Sequence, residues 1–379
     1  MKVVRSMRVT LSLLTASALV ALAAPALAGT VDPFYSDVLA APDDPAVNLA
    51  YAQRAEERGE YRKALATYER ILSAHPDNVE ASAGLVRMRR ALVPDATIFR
   101  AEIGGRYQTN ARQSPSPFET DEGSAFSSFS LRDERRIGSL RWRTEFGVSG
   151  EVFGDTNQLN QVAIVGGIGP VLPVMNTITV RPAVIGAYTF LDGDSFYGEV
   201  GGSLTFEGTY AGALQSVELR ATWRDYDNRW SSDDGVIIDV SGHFTQPDLL
   251  AEGDAITVRP HFRWSDVEAT TTALLVTTLE PGRYTEIGAK AGYYYPLTEW
   301  LLAGPSFEIS RRWFATPGLF GGTDRADTFY APGLSAVVHD VIAQNVDLRF
   351  DYQYQKQDSN DPTRDFDNHA LSARILARF

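Results

Sequence analysis

Asp239, Ser241 and His243 alternate with Val240 and Gly242, so on an extended chain their three side chains leave one face. A carboxylate, a hydroxyl and an imidazole so placed are the groups of nucleophilic acyl transfer: Ser241 attacks, His243 takes its proton, and Asp239 orients the ring. Alternation makes such trios common, and no donors are marked out as an oxyanion hole, so the expectation is a chain that is not an enzyme. The sequence has no cysteine, which excludes a thiolate nucleophile, a disulfide framework and a thiolate metal site. The five histidines, His75, His243, His261, His339 and His369, form no metal-ligand pair at helical spacing. No cofactor or metal is expected.

A second constellation is ionic. Arg141, Arg143 and Glu145 fall on every second position, as do Glu218 and Arg220 with Arg224, Arg259 with Arg263, and Asp347, Arg349 and Asp351; Arg374 belongs with them near the end of the chain. One reading pairs opposite charges across neighbouring strands and stiffens a wet interior. The other makes them a pathway for a polar or anionic substrate. The chain carries 35 Lys and Arg against 48 Asp and Glu, a net charge of −13, which argues against nucleic acid as a partner.

The elements that must hold these groups are strands. From residue 98 onward the apolar period is two. Val346, Leu348, Phe350, Tyr352 and Tyr354 alternate with Asp347, Arg349, Asp351, Gln353 and Gln355. Leu140, Trp142, Phe146 and Val148 alternate with Arg141, Arg143 and Glu145; Val217, Leu219 and Trp223 with Glu218, Arg220 and Arg224. Ile256, Val258, Phe262 and Trp264 alternate with Thr257, Arg259, His261 and Arg263, and Phe196, Val200, Leu204 and Phe206 with Glu199, Ser203, Thr205 and Glu207. Fourteen such segments begin near residues 98, 123, 138, 159, 176, 195, 214, 234, 254, 282, 298, 325, 341 and 366.

Many of these segments reach the roughly ten tilted residues that cross a bilayer. A closed sheet leaves no edge for hydrocarbon to contact, so the expected fold is mainly β: an antiparallel transmembrane β-barrel of about fourteen strands over residues 97–379. Its greasy skin would meet outer-membrane lipid. Glycines at Gly166-Gly167-Ile168-Gly169 and Gly201-Gly202 would let strands curve. Long connections should gather at one end, at residues 110–123, 227–233, 266–281, 315–324 and 356–365. Tight ones fall at 211–213 and 296–297, with 246–253 an exception. Tyr293, Tyr294, Tyr295 and Trp300 flank one turn, and Trp313 and Phe314 one long loop, as interface aromatics do.

The N-terminus reads as an export signal over residues 1–28. Lys2, Arg5 and Arg8 precede an apolar run at residues 9–24, and Ala26 and Ala28 occupy the small-residue cleavage positions. Residues 29–43 read as a linker. Residues 44–93 then read as a helical module expected in the periplasm. Leu49, Ala52, Ala55 and Glu56 line a first helix, Gly59 makes the turn, and Ala64, Leu65, Tyr68, Ile71 and Leu72 line a second that stops at Pro76. The spacing of Gly59, Tyr61, Ala64, Tyr68 and Pro76 resembles a tetratricopeptide repeat, with Asn48 and Tyr51 where Trp and Leu are usual. A third helix, residues 78–92, is half of a second repeat.

The chain finishes on Leu371, Ala373, Ile375, Ala377 and Phe379, alternating with Ser372, Arg374 and Arg378. A terminal aromatic after alternating apolar residues resembles the signal read by the barrel assembly machinery of bacterial outer membranes. Tetratricopeptide helices leading into a barrel of this size resemble the surface lipoprotein assembly modifier family. In that family the first strand ends in Tyr-x-Ser-Asn followed by Pro; here Tyr107-Gln108-Thr109-Asn110 and Pro115 stand in that place. The resemblance implies a barrel that moves a lipoprotein or other protein client to the cell surface. Family members carry more repeats than the one and a half seen here. Two alternatives stand beside it: a porin for exopolysaccharide export, and a general diffusion porin.

Overall fold

The computed structural model describes residues 35–379, except 176, 211, 228–233, 268–282 and 318–322. The expected signal peptide, with Ala26 and Ala28, lies outside the described residues. The chain divides into two compact units, up to Val93 and from Pro94 onward.

Among the described residues the first unit has four helices: α1 (Tyr35–Ala40), α2 (Pro45–Glu57), α3 (Tyr61–Ala74) and α4 (Val79–Ala91). Helix α1 forms within the segment read as a linker, where Val38 is buried and Tyr35 packs on Tyr51 of α2 with ring centroids 5.9 Å apart. Asp44 caps α2 by accepting from the Ala46 amide at 2.8 Å, with Pro45 at the first helical position where its missing N–H costs nothing. Asn78 caps α4 through the Ala81 amide at 2.9 Å.

Ala52, Ala55 and Ala64 let α2 and α3 approach closely, and Tyr68 and Ile71 fill the layer beside Ala81 and Met88. Gly84 is required in α4, because a Cβ there would lie 2.3 Å from Cζ of Tyr68. The Tyr68 hydroxyl donates to Glu56 at 3.0 Å, and Arg87 grips the same carboxylate at 2.8 and 2.9 Å, so one acid ties three helices together. The bond to Arg87, strengthened by its charge, holds the Glu56 carboxyl below its usual range, while burial and the bond to Glu56 push Tyr68 up to about 12.

The second unit is a closed barrel in which every strand pairs antiparallel with its sequence neighbour and β1 pairs with β14. The strands are β1 (Ala96–Gln108), β2 (Glu122–Ile137), β3 (Leu140–Phe153), β4 (Gln161–Pro173), β5 (Ile178–Leu191), β6 (Asp194–Tyr210) and β7 (Ala213–Tyr226). They continue as β8 (Gly235–Pro247), β9 (Ala255–Asp266), β10 (Arg283–Thr298), β11 (Leu301–Pro317), β12 (Asp324–Val338), β13 (Val346–Ser359) and β14 (Phe366–Arg378).

Fourteen strands were expected and fourteen are present. Strand β13 starts at Val346 rather than near 341, because Asp340 and Asn345 take left-handed conformations with φ of 53° and 68° and close a turn there. The Asp340 carboxylate locks that turn by accepting from the Asn345 amide at 2.7 Å. The described long connection at residues 109–121 lies on the expected end, here called the loop end, while the expected long connections at 227–233, 266–281 and 315–324 fall wholly or partly outside the described residues. Two exceptions stand out. The connection between β5 and β6 at this end is only Asp192-Gly193, and residues 339–345 make a long turn at the other end.

Alternation sends apolar side chains outward. Ile103, Val184, Val200 and Leu371 are 63, 65, 60 and 56% exposed, an arrangement that water does not reward and hydrocarbon does. One residue departs from the expected set: Phe196, read with the outward face, is 5% exposed and packs with Tyr226, Ile237 and Val267. A register shift beside Thr189 and Phe190 in β5, opposite the start of β6, accompanies this turn of the chain.

Candidate functional site

Ion pairs between strands that are not neighbours identify the interior face. Arg143 on β3 bonds Glu207 on β6 at 2.6 and 2.9 Å, past β4 and β5. Three strand spacings put those backbones roughly 14 Å apart along the wall, a gap two side chains bridge only on the concave side. Arg181 on β5 reaches Glu145 on β3 at 3.1 Å, and Arg106 on β1 reaches Glu151 on β3 at 3.1 Å. Register then assigns the parity of every strand.

Arg141, Arg143, Glu145, Glu218, Arg220, Arg224, Arg259, Arg263, Asp347, Arg349, Asp351 and Arg374 all fall on this inward parity. Most are paired. Arg143 also bonds Glu134 at 2.9 Å, and Arg141 approaches the same carboxylate at 3.7 Å. Glu145 is shared by Arg132 and Arg181; Glu199 by Arg220 and Arg224 at 2.9 and 2.6 Å. Arg263 bonds Asp239 at 2.6 Å. Asp351 takes Arg349 at 2.8 Å and Arg374 at 2.7 Å, and Arg374 also reaches Glu102 at 3.0 Å. Asp347 holds His339 and Arg378.

The side chains of Glu218 and Arg259 make no ion pair or hydrogen bond among the described residues, and neither does that of Arg100, another inward group. Hollows indent this charged wall. One of about 260 Å³ is lined by Arg100, Arg132, Glu145, Glu218 and Arg220 over Gly147, Gly167 and Val165. Another, of about 280 Å³, is lined by Arg106, Lys290, Tyr294, Arg349, Asp351 and Arg374.

The interior holds further charges that simple alternation did not single out. Arg181 sits between Val180 and Pro182, and Glu134 and Arg132 lie in the run Arg132-Asp133-Glu134-Arg135-Arg136, where both faces are charged. Glu286, gripped by Arg312 at 2.7 Å and His261 at 3.2 Å, precedes a stretch rich in Gly and Ala. On the inward parity Arg and Lys outnumber Asp and Glu, although the whole chain is acidic.

Asp239, Ser241 and His243 do share the inward face, but the structure does not assemble them. Asp239 is engaged by Arg263, and the His243 ring meets Thr245 at 3.2 Å; among the described residues no hydrogen bond joins Ser241 to His243. Among the described residues no group of His, Asp and Glu is placed to hold a metal, and no helix is long and apolar enough to cross a membrane.

The Tyr107-Gln108-Thr109-Asn110 segment lies where the barrel closes. Asn368 on β14 accepts from the Asn110 amide at 2.9 Å and donates to Gln108 at 3.1 Å, and Asn110 donates to the Asp367 carbonyl at 3.0 Å. Both Asn110 and Asn368 are buried. Phe379 completes the seam by exchanging two backbone hydrogen bonds with Phe99, at 2.9 and 3.0 Å. On the outer face of β14, Leu371, Ala373, Ile375 and Ala377 continue the apolar skin.

Residues 45–88 match the tetratricopeptide repeat family. No curated protein sequence matches the chain. Among solved structures, the outer membrane channel DcaP of Acinetobacter baumannii aligns over 75% of this chain and 97% of its own, at 9% identity and a TM-score of 0.47. The outer membrane protein opdK from Pseudomonas aeruginosa covers 75% and 99%, at 10% identity and 0.36. A bacterial polysaccharide outer membrane secretin covers 74% and 98%, at 10% identity and 0.40. At these values the likeness extends to the barrel fold alone.

Proposed function

We propose that this chain is an outer-membrane translocation barrel that assists passage of an exported protein or lipoprotein client to the cell surface, with its tetratricopeptide helices in the periplasm. The observation that carries the reading is the joining, on one chain, of a tetratricopeptide unit to a closed fourteen-stranded barrel whose skin is apolar and whose interior is ionic. No side chain needs to perform covalent chemistry. The closed sheet supplies a hydrated route through hydrocarbon, and the outer-membrane lipid and the barrel assembly machinery are the partners that such a sheet requires. Deleting the gene and shaving intact cells with proteinase tests it: a specific surface protein becomes protected in the mutant and is digested again on complementation. An unchanged surface profile contradicts it.

A second reading, a conduit for an anionic solute or exported polysaccharide, is favoured by the excess of basic groups on the interior face and by unpaired Arg100 and Arg259. Loss of secreted polymer, with surface proteins intact, supports this reading over the first.

A further inference from the structure

The outer wall carries one arginine that the interior does not explain. Arg311 on β11 faces away from the interior, between Ile287 of β10 and Thr328 of β12 in the hydrogen-bonded rows. It is exposed, lies 5.4 Å from the Trp313 ring, and pairs with no carboxylate among the described residues. Two other cations on this face near the loop end are matched: Arg283 with Asp266 at 2.8 Å, and Lys356 with Asp358 at 3.2 Å. Trp264 and Trp313 occupy the next row toward the loop end, so Arg311 lies on the hydrocarbon side of that aromatic row. An arginine on the lipid face costs up to about 2–4 kcal/mol at the bilayer midplane and less near the interface, unless an anion meets it.

Directly below Arg311 the wall is hollow. Gly242 has no side chain, and Pro260 and Ala289 carry short ones in adjoining positions, while Phe244, Phe262, Ile287 and Ile309 stand around them, leaving an apolar groove of about 730 Å³ with Arg311 at its upper edge. The groove matches an acyl chain, and the cation at its mouth matches the phosphate to which that chain is attached.

We infer that β8 to β11 form a site for an anionic, phosphate-bearing membrane lipid, with an acyl chain in the groove and the phosphate on Arg311. The inference rests on the membrane-barrel reading, and its test separates the two. The full chain is purified in detergent, exposed to phosphatidylglycerol or phosphatidylcholine in mixed micelles, and examined by native mass spectrometry for retained lipid. Barrel integrity is read beside it from heat-modifiable gel migration; a wild-type chain without that migration would sink the membrane reading instead.

Wild-type protein retains phosphatidylglycerol preferentially. Arg311→Ala loses about tenfold in that preference, as expected for removing one charge-assisted contact, and Arg311→Lys keeps part of it. Ala289→Phe, which fills the groove and leaves the cation in place, also lowers retention. Both positions face outward, so neither variant disturbs interior packing. Equal retention by wild type and Arg311→Ala overturns the site. Displacement of the lipid by millimolar inorganic phosphate alone would show a headgroup contact without an acyl groove, and overturns it as well.

Discussion

The guanidinium of Arg143 on β3 meets the carboxylate of Glu207 on β6 at 2.6 Å, past two intervening strands. Arg143 is 7% exposed, so this bond and the one to Glu134 supply most of what water would otherwise provide. The pair is a brace across the curve of the wall. It fixes how tightly four consecutive strands bend, which ladder hydrogen bonds alone leave free.

Removing one partner should therefore cost more than removing both. Glu207→Gln leaves a half-satisfied buried cation and is expected to lower stability by about 1–3 kcal/mol. Combining Arg143→Met with Glu207→Leu should recover much of that loss. Loss of heat-modifiable migration across a urea series measures both, and equal costs for the single and double variants would contradict the brace.

At the closure seam, Asn368→Ala removes the acceptor of the Asn110 amide and the donor to Gln108 together. Leaving these buried groups unpaired is expected to cost about 1–3 kcal/mol and to lower the temperature at which the folded band disappears. Asn368→Asp keeps the acceptor and should fall between. The Tyr-Gln-Thr-Asn segment thus has a structural duty, to join the first loop to the last strand.

The helical unit should weaken in acid. The Glu56 carboxyl lies below its ordinary value of 4.5 in the folded unit because Arg87 and Tyr68 bond its ionised form. Its contribution is complete above that ordinary value and fades as pH falls through the folded one. Hydrogen exchange of α3 amides in the full chain should quicken as pH drops from about 5 toward 3 beyond the intrinsic change, and Glu56→Gln should remove that excess. An unchanged excess in the variant would contradict the role of Glu56.

The interior field should favour anions. Arg259 and Arg100 make no described pair, so their charge is offered to the lumen. If the lumen conducts, the reversal potential in a planar bilayer under a salt gradient should show anion preference, and Arg259→Glu with Arg100→Glu should shift it toward cations. A cation-preferring wild-type pore would contradict the second functional reading.

Much of this architecture is legible in the amino acids. Alternation in Val346–Ser359 or Leu140–Phe153 assigns two faces because successive side chains oppose, and closure follows once one face is apolar throughout. Small residues Ala52, Ala55 and Ala64 likewise announce a close helix crossing. Pairing across the interior is not legible. Arg143 and Glu207 are 64 residues apart, and their meeting depends on wall curvature, which no local pattern encodes. Phe196 follows the local alternation yet turns inward beside a register shift, and Val341 and Ile342 look like strand although they lie in a turn closed by Asp340. Arg311 was hidden for the opposite reason, since it is a charge on a face that alternation reserves for apolar residues.

Membrane residence is most directly tested by fractionating the native cells and running the extracted chain on gels with and without boiling. The chain should sediment with the outer membrane, leave it only with detergent, and migrate faster unboiled because the closed barrel resists unfolding. Recovery in the aqueous fraction without detergent, with one migration whatever the heating, would contradict a lipid-facing barrel.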